Sequence, residues 1–223
     1  MRETPLKIVV LISGSGTNLQ AIIDAIQAGK IQARICAVIS NRAGVKGLQR
    51  ARDAGIDTHV IEHKQYPDRE SFDQALATTI DSYSPELVVL AGFMRILTEA
   101  FVKHYACRML NIHPSLLPDF RGLNTHERVL EAGRDNHGVS VHYVTNELDS
   151  GPLVIQAVTD IRSGDTADSL AERIHQQEHI IYPMVIGWIA EGRLACHDNQ
   201  PSLDGKPLSR PVRWINNQME LPE

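Results

Sequence analysis

The sequence predicts an α/β fold: a single domain with a mostly parallel, twisted sheet and helices on both faces, Rossmann-like in plan. Three observations predict it. Short β-rich runs alternate with stretches of helical periodicity through the first half of the 223 residues. Two of those runs, KIVVLI from Lys7 and LVVLA from Leu87, are continuously apolar, as strands covered on both faces should be. The length suits one α/β unit with a sizeable core, and no internal repeat or low-complexity linker divides it.

Taken in order, a strand over residues 7–12 enters a glycine turn, and a helix over 17–28 leaves it. Strand 34–40, helix 45–54, strand 58–61, helix 68–83, strand 87–91 and helix 98–104 continue the alternation. Strand–helix–strand units of this kind place their strands parallel, with right-handed crossovers. After Met109 the rhythm changes. A strand ends at Asn111 and His113, a loop holding Pro114 and Pro118 follows, and a helix runs near 125–132. Residues 138–144 and 152–159 read as strands, and 166–190 as a long helix. From Leu194 onward, with Asp204-Gly205 as a hairpin turn, the chain reads as a terminal appendage. The expected division is a catalytic region over 1–200 and a C-terminal appendage of the same domain over 201–223.

Composition narrows the function classes. The 43% hydrophobic and 22% charged content is ordinary for a soluble enzyme. With 22 basic against 27 acidic residues the net charge is −5, without blocks of like charge. A protein that neutralises many phosphates carries a basic excess, so no nucleic-acid partner is expected, whereas a small anion can still meet a local positive site. Three cysteines, Cys36, Cys107 and Cys196, form no C-x-x-C pair and suit free thiols in a reducing compartment. Cys36 and Cys107 lie in apolar runs and are expected as buried core thiols. The only N-terminal apolar run, Ile8 to Ile12, is too short for a signal peptide, and nothing approaches a membrane span. Cytoplasmic localisation is the expectation, with no membrane partner.

LISGSGTNLQAI, from Leu11, opens like a dinucleotide loop with Gly14 and Gly16, but Leu19 stands where the third glycine belongs. Ser40-Asn41-Arg42 follows the second strand in place of a ribose-gripping acid. NAD is therefore a poor fit, and a single phosphate on the free N–H groups of the first helical turn is a better one. The same glycines would also serve a plain tight turn, with Thr17 or Asn18 capping the helix.

CRMLNIHPSLLP, from Cys107, is more specific. Side chains alternate along a strand, so Asn111 and His113 share a face opposite Leu110 and Ile112, and Pro114 ends the ladder. An amide and an imidazole side by side form a donor pair for a carbonyl oxygen that becomes an oxyanion. Asp149, in a turn between two strands, could supply the charge that keeps such a histidine protonated. A hydrogen-bonded strand-end histidine and a turn-forming aspartate are the plainer readings of the same residues.

LISGSGTNLQAI, VLAGFMRIL, MLNIHPSLLP, NELDSGP and QQEH occur in that order and span nearly the whole chain. Together they resemble the phosphoribosylglycinamide formyltransferase family, folate-dependent enzymes of de novo purine synthesis. The resemblance implies transfer of a formyl group from 10-formyltetrahydrofolate, as co-substrate, to the amine of glycinamide ribonucleotide, with neither metal nor NAD. It implies that Asn111, His113 and Asp149 are catalytic. Gly16, Thr17 and Asn18 match the loop that holds the ribonucleotide phosphate, and Glu178 matches a ribonucleotide contact. On the folate side the matches are Arg69, Met94, Arg95, Ile96 and Leu97, Asn111, and Thr145, Asn146, Glu147, Leu148 and Asp149. The chain departs from the family pattern at Phe120-Arg121 and at Asn124, where relatives commonly carry histidine. Partners are then small molecules only, and the protein is a monomer or homodimer.

Other readings lead elsewhere. A formyltetrahydrofolate hydrolase shares the scaffold but would carry an additional N-terminal regulatory domain, and the first strand here begins near residue 6. A methionyl-tRNA formyltransferase would add a C-terminal RNA-binding domain and a basic surface. His175, Glu178 and His179 form a literal H-x-x-E-H, the inverted zinc-hydrolase motif, without an identifiable third ligand. No G-x-S-x-G occurs, which removes the usual serine-hydrolase signature. A non-catalytic nucleotide-binding module would explain the glycine loop but leave Asn111, His113 and Asp149 as coincidence. His142 falls on the same strand face as Ser140 and could lie near the site. Trp188 and Trp214 are expected to pack rather than to stack on a ligand.

Overall fold

The computed structural model describes residues 4–222. In chain order the elements are β1 (Leu6–Ile12), α1 (Thr17–Gln27), β2 (Ala33–Ser40), α2 (Lys46–Asp53), β3 (Asp57–Val60), α3 (Arg69–Asp81), β4 (Leu87–Leu90), α4 (Glu99–His104) and β5 (Met109–His113). There follow α5 (Thr125–Glu131), β6 (Asn136–Tyr143), β7 (Leu153–Asp160), α6 (Ala167–Ala190), β8 (Leu194–His197), β9 (Gln200–Leu203), β10 (Lys206–Pro207), β11 (Val212–Ile215) and β12 (Gln218–Glu220). No helix among the described residues is long and apolar enough to cross a membrane.

Nine strands form one sheet in the order β12-β11-β7-β6-β5-β4-β1-β2-β3. The pairs from β3 through β1 and β4 to β5 are parallel, while β6 is antiparallel to both β5 and β7. The change of rhythm after Met109 is thus a change from parallel to antiparallel pairing, with β6 returning beside β5 after α5 and β7 following β6 through a loop. Alternation along β1 sorts the core into two layers. Ile8, Val10 and Ile12 face α1 and α6, packing with Leu19, Ile22, Ile181 and Val185. Val9 and Leu11 face α3 and α4, packing with Phe72, Leu76, Phe101 and Tyr105. Both faces of β1 are covered, which is why its sequence is apolar throughout.

Three helices begin where the sequence provides a side-chain acceptor. Asp68 caps α3 through Ser71 N–H, Thr98 caps α4 through Phe101 N–H, and Thr166 with Ser169 forms a capping box on α6. Trp188 is buried in the core and Trp214 packs against it.

Two details differ from the sequence expectation. Cys36 and Cys107 are half-buried, not core thiols. Cys36 is skipped at a register shift between β1 and β2 and lies just before Ala37, where pairing with β3 begins, so it packs only partly against the core. Cys107 lies in the turn before β5 with φ 58°, one step ahead of the alternation in which it was placed. The region after Leu194 has two fates. β8, β9 and β10 form a small separate sheet, whereas β11 runs parallel to β7 and extends the main one. The boundary drawn between 200 and 201 falls inside the β8–β9 hairpin.

Candidate active site

Strand register gathers the site. Leu11 pairs with Leu90 and Leu90 with Asn111, so β1, β4 and β5 reach their carboxyl ends nearly level. Sheet order reverses between β1 and β4, the place where ligands gather in open α/β sheets.

Asn111, His113 and Asp149 come together there. His113 Nδ1 lies 3.5 Å from Asp149 Oδ2, and both side chains are 7% exposed. His113 Nε2 donates to the Phe120 carbonyl at 3.0 Å. Asp149, in a left-handed turn with φ 49°, accepts the Gly122 N–H at 3.0 Å through Oδ2. The adjoining Gly151 has no room for a side chain, because a Cβ would collide with the Tyr143 carbonyl oxygen. That contact presses the turn against the end of β6 and fixes where Asp149 stands.

His142 completes the cluster. It is the cross-strand partner of Asn111 on β6. Its Nδ1 donates to the Tyr143 carbonyl at 2.9 Å, which leaves Nε2 as an acceptor for the Asn111 amide at 3.2 Å. Burial pushes the His142 pKa down, and nearby His113 adds to this, against the opposing pull of the Tyr143 carbonyl and Asp149. A neutral ring is what the geometry requires. One amide hydrogen of Asn111 is thereby committed to His142, and the other remains for a ligand. The Phe120 carbonyl on His113 Nε2 occupies the kind of position a substrate carbonyl would take.

The loop from Pro114 to Asn124 is anchored unevenly. Ser140 Oγ donates to the Ser115 carbonyl and accepts from Leu117 N–H, while Gln156 Nε2 donates to the Leu117 carbonyl and to Ser140 Oγ. Ser115, Ser140 and Gln156 are buried. Beyond Phe120 the backbone is held by His113, Asp149 and Arg128, which donates to the Arg121 and Leu123 carbonyls.

The glycine loop precedes α1 as expected, but neither Thr17 nor Asn18 caps it. Gly16 occupies the N-cap with φ 69°, no side chain caps the helix, and no acid sits in its first turn. The amides of that turn are left for an anion. A Cβ on Gly16 would stand 2.6 Å from Gly47 Cα, so loop and α2 touch glycine to glycine. Arg50 Nε, one turn further along α2, donates to the Ser15 carbonyl at 2.9 Å and brings a cation to the loop. Gly47 and Arg50 escaped the sequence reading, because nothing local in residues 46–53 signals contact with residues 14–16.

Asn18 Nδ2 donates to Glu178 Oε2 at 2.8 Å, while Asn18 Oδ1 is buried with no partner. Burial raises the Glu178 pKa, against the Asn18 hydrogen bond and the charge of His175. One turn along α6, the Tyr182 hydroxyl donates to the Leu90 and Leu110 carbonyls. Through α6 the glycine loop and the strand bearing Asn111 are held to one frame. His175 and His179 stack at 6.5 Å between ring centroids, but Glu178 is turned to Asn18. Among the described residues no three His, Cys, Asp or Glu are grouped as a metal would need, so the H-x-x-E-H resemblance has no ligand set behind it.

The residues matched to the folate side are placed less uniformly. Met94 and Ile96 are each 59% exposed and Leu148 is 52% exposed. Ser13 Oγ, at the end of β1, accepts the Met94 N–H at 2.7 Å and donates to Asn41 Oδ1, fixing the start of that segment. Arg95 Nε is buried with no partner, and Leu97 packs against the α3–α4 side of the core. Thr145 is half-buried, Asn146 is exposed, and Glu147 pairs with Arg121 at 3.1 Å. Arg69 is exposed at the first residue of α3, outside the cluster.

The model of the formyl transferase family matches residues 6–186. Phosphoribosylglycinamide formyltransferase of Escherichia coli K12 is 55% identical over 203 residues, covering 91% of this chain and 96% of that protein. The enzyme of the same name from Haemophilus influenzae is 48% identical, covering 92% and 96%. The solved structure of phosphoribosylglycinamide formyltransferase from Coxiella burnetii superposes with a TM-score of 0.89 at 61% identity, covering 92% of this chain and 96% of that one.

Proposed function

The chain belongs to the formyl transferase family, and from that premise we propose that Asn111, His113 and Asp149 carry its chemistry with 10-formyltetrahydrofolate as formyl donor. The protein is an enzyme of purine biosynthesis that formylates the amine of 5-phosphoribosylglycinamide, the activity for which its relatives are named. The observation that carries the residue assignment is the buried His113–Asp149 pair, 3.5 Å apart, beside the half-buried, His142-oriented amide of Asn111 at the carboxyl end of β5.

The ribonucleotide phosphate binds the uncapped N-terminus of α1 at Gly16, Thr17 and Asn18, with Glu178 nearby on α6. The pterin end of the donor takes the crevice rimmed by Met94, Arg95, Ile96, Leu97 and residues 145–149, and Arg69 meets the donor's far, anionic end. When the amine attacks the formyl carbon, negative charge develops on the formyl oxygen. Asn111 and protonated His113 donate to it, and Asp149 balances the imidazolium. Asp149 also takes part in moving a proton from the attacking amine toward the departing folate nitrogen. Binding both substrates in one cleft supplies the orientation term.

Hydrolysis of the same donor is the weaker reading, since the relatives above all carry the transferase name. A spectroscopic turnover assay with 10-formyltetrahydrofolate separates the two. Product should form at a rate set by glycinamide ribonucleotide and be negligible without it. Equal donor consumption without the amine would overturn the transferase assignment.

A further inference from the structure

Away from the site, two thiols approach each other between elements far apart in sequence. Cys107 sits in the turn before β5 with φ 58°, and Cys196 sits on β8, 89 residues later. The Cys196 thiol donates to Cys107 Sγ at 2.7 Å, within an ångström of the disulfide bond length of about 2.05 Å. The β8–β9 turn closes over the pair, with Asn199 Oδ1 at 4.0 Å from Cys107 Sγ. Both cysteines are half-buried, so a small oxidant can reach them while bulk exchange is hindered. The third cysteine, Cys36, lies on β2, three strands from β5, or roughly 14 Å at ordinary strand spacing.

We propose that Cys107 and Cys196 are a reversible oxidation site, forming a disulfide that staples the β8–β9 hairpin to the main sheet when a peroxide is present. The Cys107 thiolate attacks a peroxide oxygen, the O–O bond breaks, and for hydrogen peroxide the product is a sulfenic acid and, after protonation, water. Cys196 sulfur then attacks the sulfenyl sulfur, the S–O bond breaks, and hydroxide leaves with the Cys196 proton as a second water. Two thiols lose two hydrogens and one hydrogen peroxide becomes two waters. Cys196 donates its hydrogen bond to Cys107 Sγ, and burial together with the adjoining Cys107 pushes its pKa up, so Cys107 is given the first attack and Cys196 the second. The bridge lies at the amino end of β5, away from Asn111 and His113 at the carboxyl end.

The full-length protein, treated with a modest excess of hydrogen peroxide and alkylated after denaturation, should lose two of its three free thiols. Peptide mapping should give one cross-linked species, two hydrogens lighter, joining the Cys107 and Cys196 peptides. Cys36 should stay alkylatable, and dithiothreitol should restore all three. The oxidised protein should melt about 5–15 °C higher, as expected for closing a loop of this length, and Cys107→Ser and Cys196→Ser should each abolish the rise. Sulfinic acid on either residue without a cross-link, oxidation of Cys36 in step with the pair, links between chains, or three persisting thiols would each overturn the proposal.

Discussion

Replacing Gly16 with alanine tests the phosphate loop through its geometry. Gly16 has φ 69°, where an L-residue costs about 1–2 kcal/mol. The new Cβ would lie 2.6 Å from Gly47 Cα and 3.5 Å from Gly47 N, both backbone atoms that cannot swing aside. Overpacking of this kind costs about 1–3 kcal/mol, giving a total near 2–5 kcal/mol and a Tm lower by roughly 4–20 °C for a domain of this size. Gly47→Ala isolates the contact from the backbone term. Its φ is not positive, and its Cβ would meet Ile12 Cδ1 at 2.5 Å, the Gly14 carbonyl oxygen at 3.1 Å and Gly16 Cα at 3.2 Å. Without the left-handed penalty it should cost less than Gly16→Ala. Parting α1 from α2 also tilts the uncapped amides. Loss of one charge-assisted hydrogen bond, about 1.5–3 kcal/mol, raises the KM for the ribonucleotide roughly ten- to a hundredfold. Thermal melts and steady-state kinetics with each substrate varied measure both effects, and the KM for the formyl donor should stay within about twofold. Parallel rises in the two KM values would assign the loop to the wrong substrate. A Gly16→Ala protein as stable as the parent would refute the packing argument itself.

Three further outcomes are expected. Asn111→Ala, His113→Ala and Asp149→Asn should each lower kcat about a hundredfold or more, and His113→Ala combined with Asp149→Asn should lose much less than the product of the singles; multiplicative losses would show that the pair does not act on one intermediate. His142→Ala should lower kcat by roughly tenfold with both KM values kept, because it frees the Asn111 amide from its 3.2 Å acceptor, and His142→Gln should recover part of the loss; unchanged kcat would remove His142 as a positioning residue. His137, buried beside His126 at 3.0 Å, has its pKa pushed down to about 4 by burial first and by His126 and His113 after it. Its neutral form is favoured in the fold, so its contribution is complete above pH 6.5 and is lost as pH falls toward 4, by about 3 kcal/mol in total. Urea unfolding of His137→Gln across that window should show a shallower acid loss, and an identical slope would place the acid sensitivity elsewhere.

How much of this the sequence disclosed depends on the range over which each feature is set. Strand alternation is local, so the placing of Asn111 with His113 on one face follows from residue spacing alone, whereas the approach of His142 to Asn111 is set by the register of β6 on β5. The element order also follows, since apolar runs and helical periodicity are properties of short windows. The fate of residues 212–215 does not: four residues with one fully buried position, Val212, give too short a pattern to tell an appended hairpin from a ninth-strand partner of β7. Cys107 was misplaced for a related reason, because periodicity continues smoothly through a turn that only the left-handed backbone reveals.

The contacts that finish the site are of a different kind. Arg50 reaches the loop through the Ser15 carbonyl, His113 is satisfied by the Phe120 carbonyl, and Asp149 by the Gly122 N–H. A peptide group is present at every position whatever side chain stands there, so it leaves no mark in residue type or spacing. These backbone contacts also explain why the departures at Phe120, Arg121 and Asn124 leave the buried cluster intact. Phe120 meets His113 through an oxygen that any residue would provide, and Asn124 lies exposed at the left-handed entry to α5 without a capping side chain. Substitution in this half of the loop therefore changes how readily it lifts, not what lies beneath it. Hydrogen exchange should accordingly show that ligand changes the protection of Arg121, Leu123 and Asn124, while that of Leu117, anchored to Ser140 on β6, stays the same with and without substrate. If Leu117 exchanged in step with them, the two halves would open as one unit, and the anchoring through Ser140 and Gln156 would not divide the loop.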